Sequence, residues 1–194
     1  SGRPLDGEPF LPRESIDPAK PVTLEEYVAG NLTSRGSKST GYLKPVMSRA
    51  FIKRAGLRYD PALRNGEDCH LIISALAKGA RVHIWPEPDY LYTVRAGSIS
   101  HRINPAHFEA LIKADRAFAG QNAQDLSAEA IRLFRSRETG LREMMESERI
   151  LLALKSKRVL DALRLAGRHP YALPRAGRQI VESLGKKFGL KSRQ

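Results

Sequence analysis

The sequence predicts an α/β unit, helices with a small sheet, over residues 1–104, followed by a basic α-helical extension over residues 105–194. Three observations carry this expectation. Between Gly79 and Pro86 the run "ARVHIWP" alternates apolar and polar residues, and "DYLYTVRAGSIS" supplies a second extended stretch ending in a Gly/Ser turn. From Pro105 onward the apolar residues recur at helical spacing. Charge shifts later along the chain: Lys and Arg stand against Asp and Glu as 15 to 11 over residues 1–105, 7 to 8 over residues 106–149, and 11 to 2 over residues 150–194.

The elements follow in order. Residues 1–22 hold five prolines among polar residues and read as loop. "TLEEYVAGNL" offers Thr23 as an N-cap and Glu26 as its capping-box partner, with Leu24, Tyr27 and Val28 as an apolar face. "TSRGSKSTG" is a turn-rich break. A second helix is expected in "YLKPVMSRAFIKRAGL", with an apolar rhythm at Val46, Phe51, Ile52 and Leu57 and a stop at Gly56. "RYDPALRNG" reads as a loop, after which Glu67 to Lys78 forms a mostly buried helix through Leu71, Ile72, Ile73, Ala75 and Leu76, closed by Gly79. Val82, Ile84 and Trp85 are expected to face inward from a strand that Pro86 stops, with Trp85 and Tyr92 as core or sheet residues rather than sugar-stacking platforms. Three or four helices then follow, with breaks near Gly120, Gly167 and Pro174.

Composition narrows the function classes. Cys69 is the single cysteine, read as a buried thiol, so an intrachain disulfide or a cysteine-based zinc site is excluded, in keeping with a reducing cytoplasm. No apolar run approaches the roughly 18 residues of a membrane-crossing helix, and the start lacks the pattern of a signal peptide. The net charge of +12 suits anionic partners: a lipid surface, a nucleotide or nucleic acid. The basic region has few aromatics and no nucleic-acid reader motif, so nucleic-acid binding has charge alone behind it.

The stretch "NGEDCHLIISAL", Asn65 to Leu76, sets two adjacent acids at a helix start. Glu67 and Asp68 suit a first turn for purely structural reasons, since unpaired N–H groups and the positive dipole end favour negative charge. Their setting supports a catalytic reading. The Glu67–Asp68 pair is followed by Gly79–Ala80 with "RVHIWPEP", and then by a loop carrying Tyr90, Tyr92, Arg95, Gly97, Ser98, Ser100 and His101. This ordered set, over residues 41–102, resembles the acceptor half of a bacterial family 2 glycosyltransferase of GT-A fold, of the kind that builds exopolysaccharides such as succinoglycan.

The resemblance implies an inverting hexosyltransferase-type reaction from a nucleotide-sugar donor to a saccharide or lipid-linked saccharide acceptor. It makes Asp68 the general base that takes the acceptor hydroxyl proton, with Glu67 beside it orienting base or acceptor. It makes Arg95, Ser98 and Ser100 donors to the leaving diphosphate, and His101 a ligand of a divalent metal, Mn2+ or Mg2+. Lys44 and Arg49 either face the same pocket or form a solvated basic face. The chain departs from the family in lacking an opening "V-S-V-I-I-P-x-Y-N" strand and the acidic D-x-D motif that holds metal and nucleotide. The expectation is therefore an acceptor-side fragment, inactive by itself, or one half of an enzyme whose other half is a separate polypeptide; the alternatives are a non-catalytic interaction module derived from a transferase and a basic helical nucleic-acid-binding protein.

The last segment bears on location. "ILLALKSKRVLDALRLAGRHP" places Leu152, Val159 and Leu163 on one face, and "RQIVESLGKKFGLKSR" repeats the arrangement with Ile180, Leu184 and Phe188. Such basic amphipathic helices either lie on an anionic membrane, here the inner face of the cell membrane reached from the cytoplasm, or pack on the rest of the chain or on a twin copy.

Overall fold

The computed structural model describes residues 11–32, 40–87, 90 and 104–187. Among them lie seven α-helices: α1 (Leu24–Ala29), α2 (Arg49–Arg54), α3 (Glu67–Ala77), α4 (Pro105–Gln121), α5 (Ala128–Lys155), α6 (Val159–Arg168) and α7 (Leu173–Lys187). Helix α5 spans 28 residues, about 42 Å at 1.5 Å per residue. It is the mast of the fold: α1, α4, α6 and α7 all pack against it.

The caps decide where the helices start. Thr23 accepts from the Glu26 backbone N–H while the Glu26 side chain accepts from the Thr23 N–H, the capping box expected for α1. Ser48, Asn104 and Ser127 cap α2, α4 and α5 through side-chain oxygens. Helix α3 ends into Gly79 at φ 79°, a left-handed position that suits glycine.

Three apolar clusters lie along the mast, and a fourth lies between α3 and α2. Tyr27 and Val28 of α1 and Cys69, Ile72 and Ile73 of α3 meet Phe118 of α4 and Leu133 and Phe134 of α5. Next, Leu63 joins Phe108, Leu111 and Ile112 of α4 with Leu141 and Met145 of α5. Farther along, Ile150 and Leu151 of α5 hold Ala172 and Ala176. Leu57, Leu71 and Ala75 join α3 to α2.

The expected α/β unit is corrected by this architecture. Among the described residues there is no strand and no sheet, so the small sheet and the GT-A-like unit are not what they form. The stretch around Val82 makes one isolated antiparallel bridge, in which the Val22 N–H donates to the Val82 carbonyl at 2.7 Å. A ladder cannot grow from it. In an antiparallel pair the next ladder bonds fall two residues away, at Leu24–Ala80 and Lys20–Ile84: Leu24 already opens α1, the Ala80 N–H donates to the Ala75 carbonyl at 2.9 Å, and the Lys20 N–H donates to the Asp17 carbonyl at 3.2 Å. Without a sheet to lie on, Trp85 is exposed rather than in a core. The second expected strand lies outside the described residues apart from Tyr90, and so does Tyr92.

The breaks expected near Gly120, Gly167 and Pro174 are there: α4 ends at Gln121, α6 ends at Arg168, and α7 starts at Leu173 with Pro174 in its first turn, where its missing N–H costs nothing. The stretch read as continuous through Leu152, Val159 and Leu163 is divided at Ser156–Arg158, where Lys157 takes φ 57°. Val46, counted in the apolar rhythm of α2, is fully exposed ahead of that helix. Phe188 lies outside the described residues.

Candidate active site

The turn Asn65–Gly66 leads into α3 with Gly66 as N-cap at φ 79°. A Cβ on Gly66 would lie 3.2 Å from Leu111 Cδ2 of α4, so both the backbone angle and the neighbour call for glycine. A glycine cap has no side chain with which to satisfy the first-turn N–H groups. Asp68 supplies it: its Oδ1 accepts from the Cys69 N–H at 2.8 Å. Glu67 and Asp68 are both half-buried in that first turn. A carboxylate held there has one oxygen fixed by the backbone and the other left for a proton or a hydroxyl.

Behind Asp68 lies a buried polar cluster that the sequence reading did not single out. Asp115 of α4 accepts from Arg137 Nε of α5 at 2.8 Å, with the two side chains 2% and 5% exposed. Arg137 Nη1 donates to the Asn31 carbonyl at 2.9 Å. The Asn31 amide in turn donates to the Tyr27 carbonyl at 2.7 Å and to Thr40 Oγ1 at 2.8 Å, and its Oδ1 accepts from the Gly41 N–H at 2.8 Å. Arg137 thus ties α4, α5 and the end of α1 together. His70 stands edge-on to Phe118, with ring centroids 5.9 Å apart. Two buried atoms of this cluster, His70 Nε2 and Asp115 Oδ1, lack a hydrogen-bond partner among the described residues.

Burial sets the acidity of these groups. It pushes the Tyr27 phenol well above its usual value, with the neighbouring Cys69 and Asp68 charges adding to the shift. It pushes the Cys69 thiol up as well, against the opposing pull of Arg137. Burial likewise raises the Asp115 carboxyl, with Arg137 pulling it back. A buried, protonated thiol is a poor nucleophile, so Cys69 is structural. Asp68, beside the cluster, is only half-buried.

Not every candidate residue is brought to this place. Lys44 is exposed, with its Nζ 5.9 Å from the centroid of the Tyr90 ring; Arg49 is exposed in the first turn of α2. Arg95, Ser98, Ser100 and His101 lie outside the described residues. Among the described residues no group of three or more His, Cys, Asp or Glu is disposed to hold a metal ion. The sequence did carry a sign of the buried pair. Asp115 falls on the apolar face of α4 between Leu111 and Phe118, and Arg137 on that of α5 between Leu133 and Leu141. A charge on a core-facing stripe calls for an opposite charge across the interface.

The chain is similar to succinoglycan biosynthesis proteins. It is 36% identical over 163 residues to the succinoglycan biosynthesis protein ExoO of Rhizobium meliloti (strain 1021), covering 84% of this chain and 46% of ExoO. The succinoglycan biosynthesis protein ExoU of the same organism is 36% identical over 155 residues, 79% of this chain and 45% of ExoU. The chain spans about half the length of the curated relatives it matches. No family model matches the chain, and no solved structure does.

Proposed function

We propose that this chain is the acceptor-side portion of an inverting, family 2 type glycosyltransferase of exopolysaccharide biosynthesis, with Asp68 as its general base. The observation that carries the reading is the 36% identity to ExoO over 84% of the chain, a span that contains α3. In the reaction Asp68 takes the proton of an acceptor hydroxyl. The freed oxygen forms a bond to the anomeric carbon, and the bond from that carbon to the nucleoside diphosphate breaks, the electron pair leaving with the diphosphate. Glu67, one residue away on the same turn, holds the acceptor or the base in place. Arg95, Ser98, Ser100 and Lys44 would answer the charge growing on the diphosphate. His101 would contribute to a divalent-metal site completed by residues other than those of an internal D-x-D motif, which this sequence lacks. The acceptor is a saccharide, free or lipid-linked.

The test is genetic and chemical together, in the organism that encodes the chain. Deleting the gene is expected to abolish or shorten an exopolysaccharide and to leave its saccharide precursor one sugar short. The wild-type gene restores the product; Asp68→Asn, expressed to the same level and equally helical by circular dichroism, does not. Full restoration by Asp68→Asn would instead make the chain a non-catalytic interaction module. An unchanged exopolysaccharide after deletion would remove the functional reading altogether.

A further inference from the structure

The far end of the mast carries apolar surface that nothing in the fold covers. At about 100° per residue, α6 divides into three sectors. Ala162, Leu165 and Ala166 pack toward α5 and the α7 start. Val159, Leu160 and Leu163 form a bare apolar stripe, Leu160 and Leu163 being 70% and 63% exposed. Arg164 and Arg168 make a charged sector along its other side. Helix α7 repeats the division, with Ala176 packed and Leu173, Ile180, Val181 and Leu184 exposed, Val181 at 69%.

On the side of α6 that carries Arg164 and Arg168, α5 and α6 line an open cleft of about 540 Å³. Its walls hold Arg149, Arg158, Arg164 and Arg168 against a single acid, Asp161, over an apolar floor of Leu152, Ala153 and Leu165. Arg149 is engaged by Glu146 at 3.0 Å and by Glu109 at 3.5 Å, and Asp161 is shared by Arg164 at 3.4 Å and Arg158 at 3.8 Å. The cleft remains cationic.

We propose that the α6–α7 end of the molecule docks on an anionic lipid bilayer, the bare leucine and valine stripes entering the headgroup boundary while the arginine-lined cleft seats lipid phosphates. Charge and apolar surface together choose this occupant. A second copy of the same face would bring arginines against arginines. A nucleic acid would answer the cations and leave the stripes in water. An anionic bilayer answers both. No described helix is long and apolar enough to cross a membrane, so the contact is a surface one. The inference stands apart from the transferase reading and survives or fails independently of it.

The test is co-sedimentation of the full chain with phosphatidylcholine vesicles, with and without phosphatidylglycerol. Binding is expected to the anionic vesicles alone. Leu160→Ser with Leu163→Ser and Val181→Ser should weaken it roughly a hundredfold, because three exposed apolar groups no longer enter the lipid. Arg164→Ala with Arg168→Ala should weaken it about twenty-five-fold, at about fivefold per cation. All five positions lie on exposed faces, and far-UV circular dichroism checks that both variants keep their helices. Should the serine variant lose helicity, Leu160→Cys carrying an environment-sensitive dye replaces it, Cys69 being buried away from the label; its emission should shift to the blue on anionic vesicles. Failure of the wild type to sediment, undiminished binding by the serine variant, or an unshifted dye each overturns the proposal. So does a wild-type dimer that the serine substitutions dissolve without any vesicle binding, which would make the face a contact between copies.

Discussion

Asp115→Asn isolates the energetics of the cluster behind Asp68. The substitution keeps the volume and an oxygen for Arg137 Nε, but removes the charge that compensates a guanidinium only 5% exposed. Arg137 cannot shed its proton, so the variant holds a buried cation without its carboxylate. Breaking a buried pair from one side costs about 3–5 kcal/mol, a large part of the roughly 5–15 kcal/mol that holds a domain folded. At this chain length that is a fall in Tm on the order of 10 °C. Asp115→Leu combined with Arg137→Met removes both charges and should recover most of the loss. The remainder, about 1 kcal/mol, reflects the hydrogen bond that the Asn31 carbonyl receives from Arg137. The exposed Arg132–Glu129 pair at 2.5 Å is an internal control, and Glu129→Gln should leave the urea midpoint essentially unchanged. Urea titration followed by far-UV circular dichroism measures all four proteins. A loss under about 1 kcal/mol for Asp115→Asn, or a double variant no more stable than the single one, would refute the reasoning.

Two further outcomes follow from the same contacts. Glu138 bonds Arg116 of α4 at 2.6 and 2.8 Å and Arg142 of α5 at 2.8 Å, and these hydrogen bonds hold its carboxyl down to about 2 from an ordinary 4.5. A folded value below the unfolded one stabilises above pH 4.5 and fades as pH falls toward 2. Wild type should therefore exceed Glu138→Gln in stability at neutral pH and converge with it near pH 2; a constant gap across that range would contradict the bonding. Gly66→Ala should cost about 1–2 kcal/mol through the left-handed backbone at the cap. Adding Leu111→Ala relieves the 3.2 Å contact but not the backbone angle; full recovery in the double variant would place the cost on the contact alone.

How much of this was legible varied with the range of the interaction involved. The capping box of Thr23 and Glu26 could be read directly, because its donors and acceptors lie within four residues. The start of α3 at Glu67 and its stop at Gly79 were legible for the same reason. The strand expected around Val82 was not a false pattern. Val82 does meet Val22 in a bridge, but a strand exists only if the next bonded pairs continue it, and Lys20, Leu24 and Ala80 are already committed to a turn, to α1 and to the end of α3. The break at Lys157 escaped notice since no glycine or proline marks it.

By itself, then, the sequence determined the local turns, the caps, the buried faces of the helices, and the placement of Glu67 and Asp68 where backbone N–H groups favour acids. Its excess of cations after residue 150 was equally plain. Tertiary structure alone decided which charges were paired and which apolar groups were left over. Asp115 and Arg137 are 22 residues apart and on different helices, and only the packing of α4 on α5 closes the 2.8 Å gap that makes both tolerable in a core. Leu160 and Ala162 are nearly adjacent on one helix, yet one is bare and the other buried, because α5 offers a partner surface to only one side of α6.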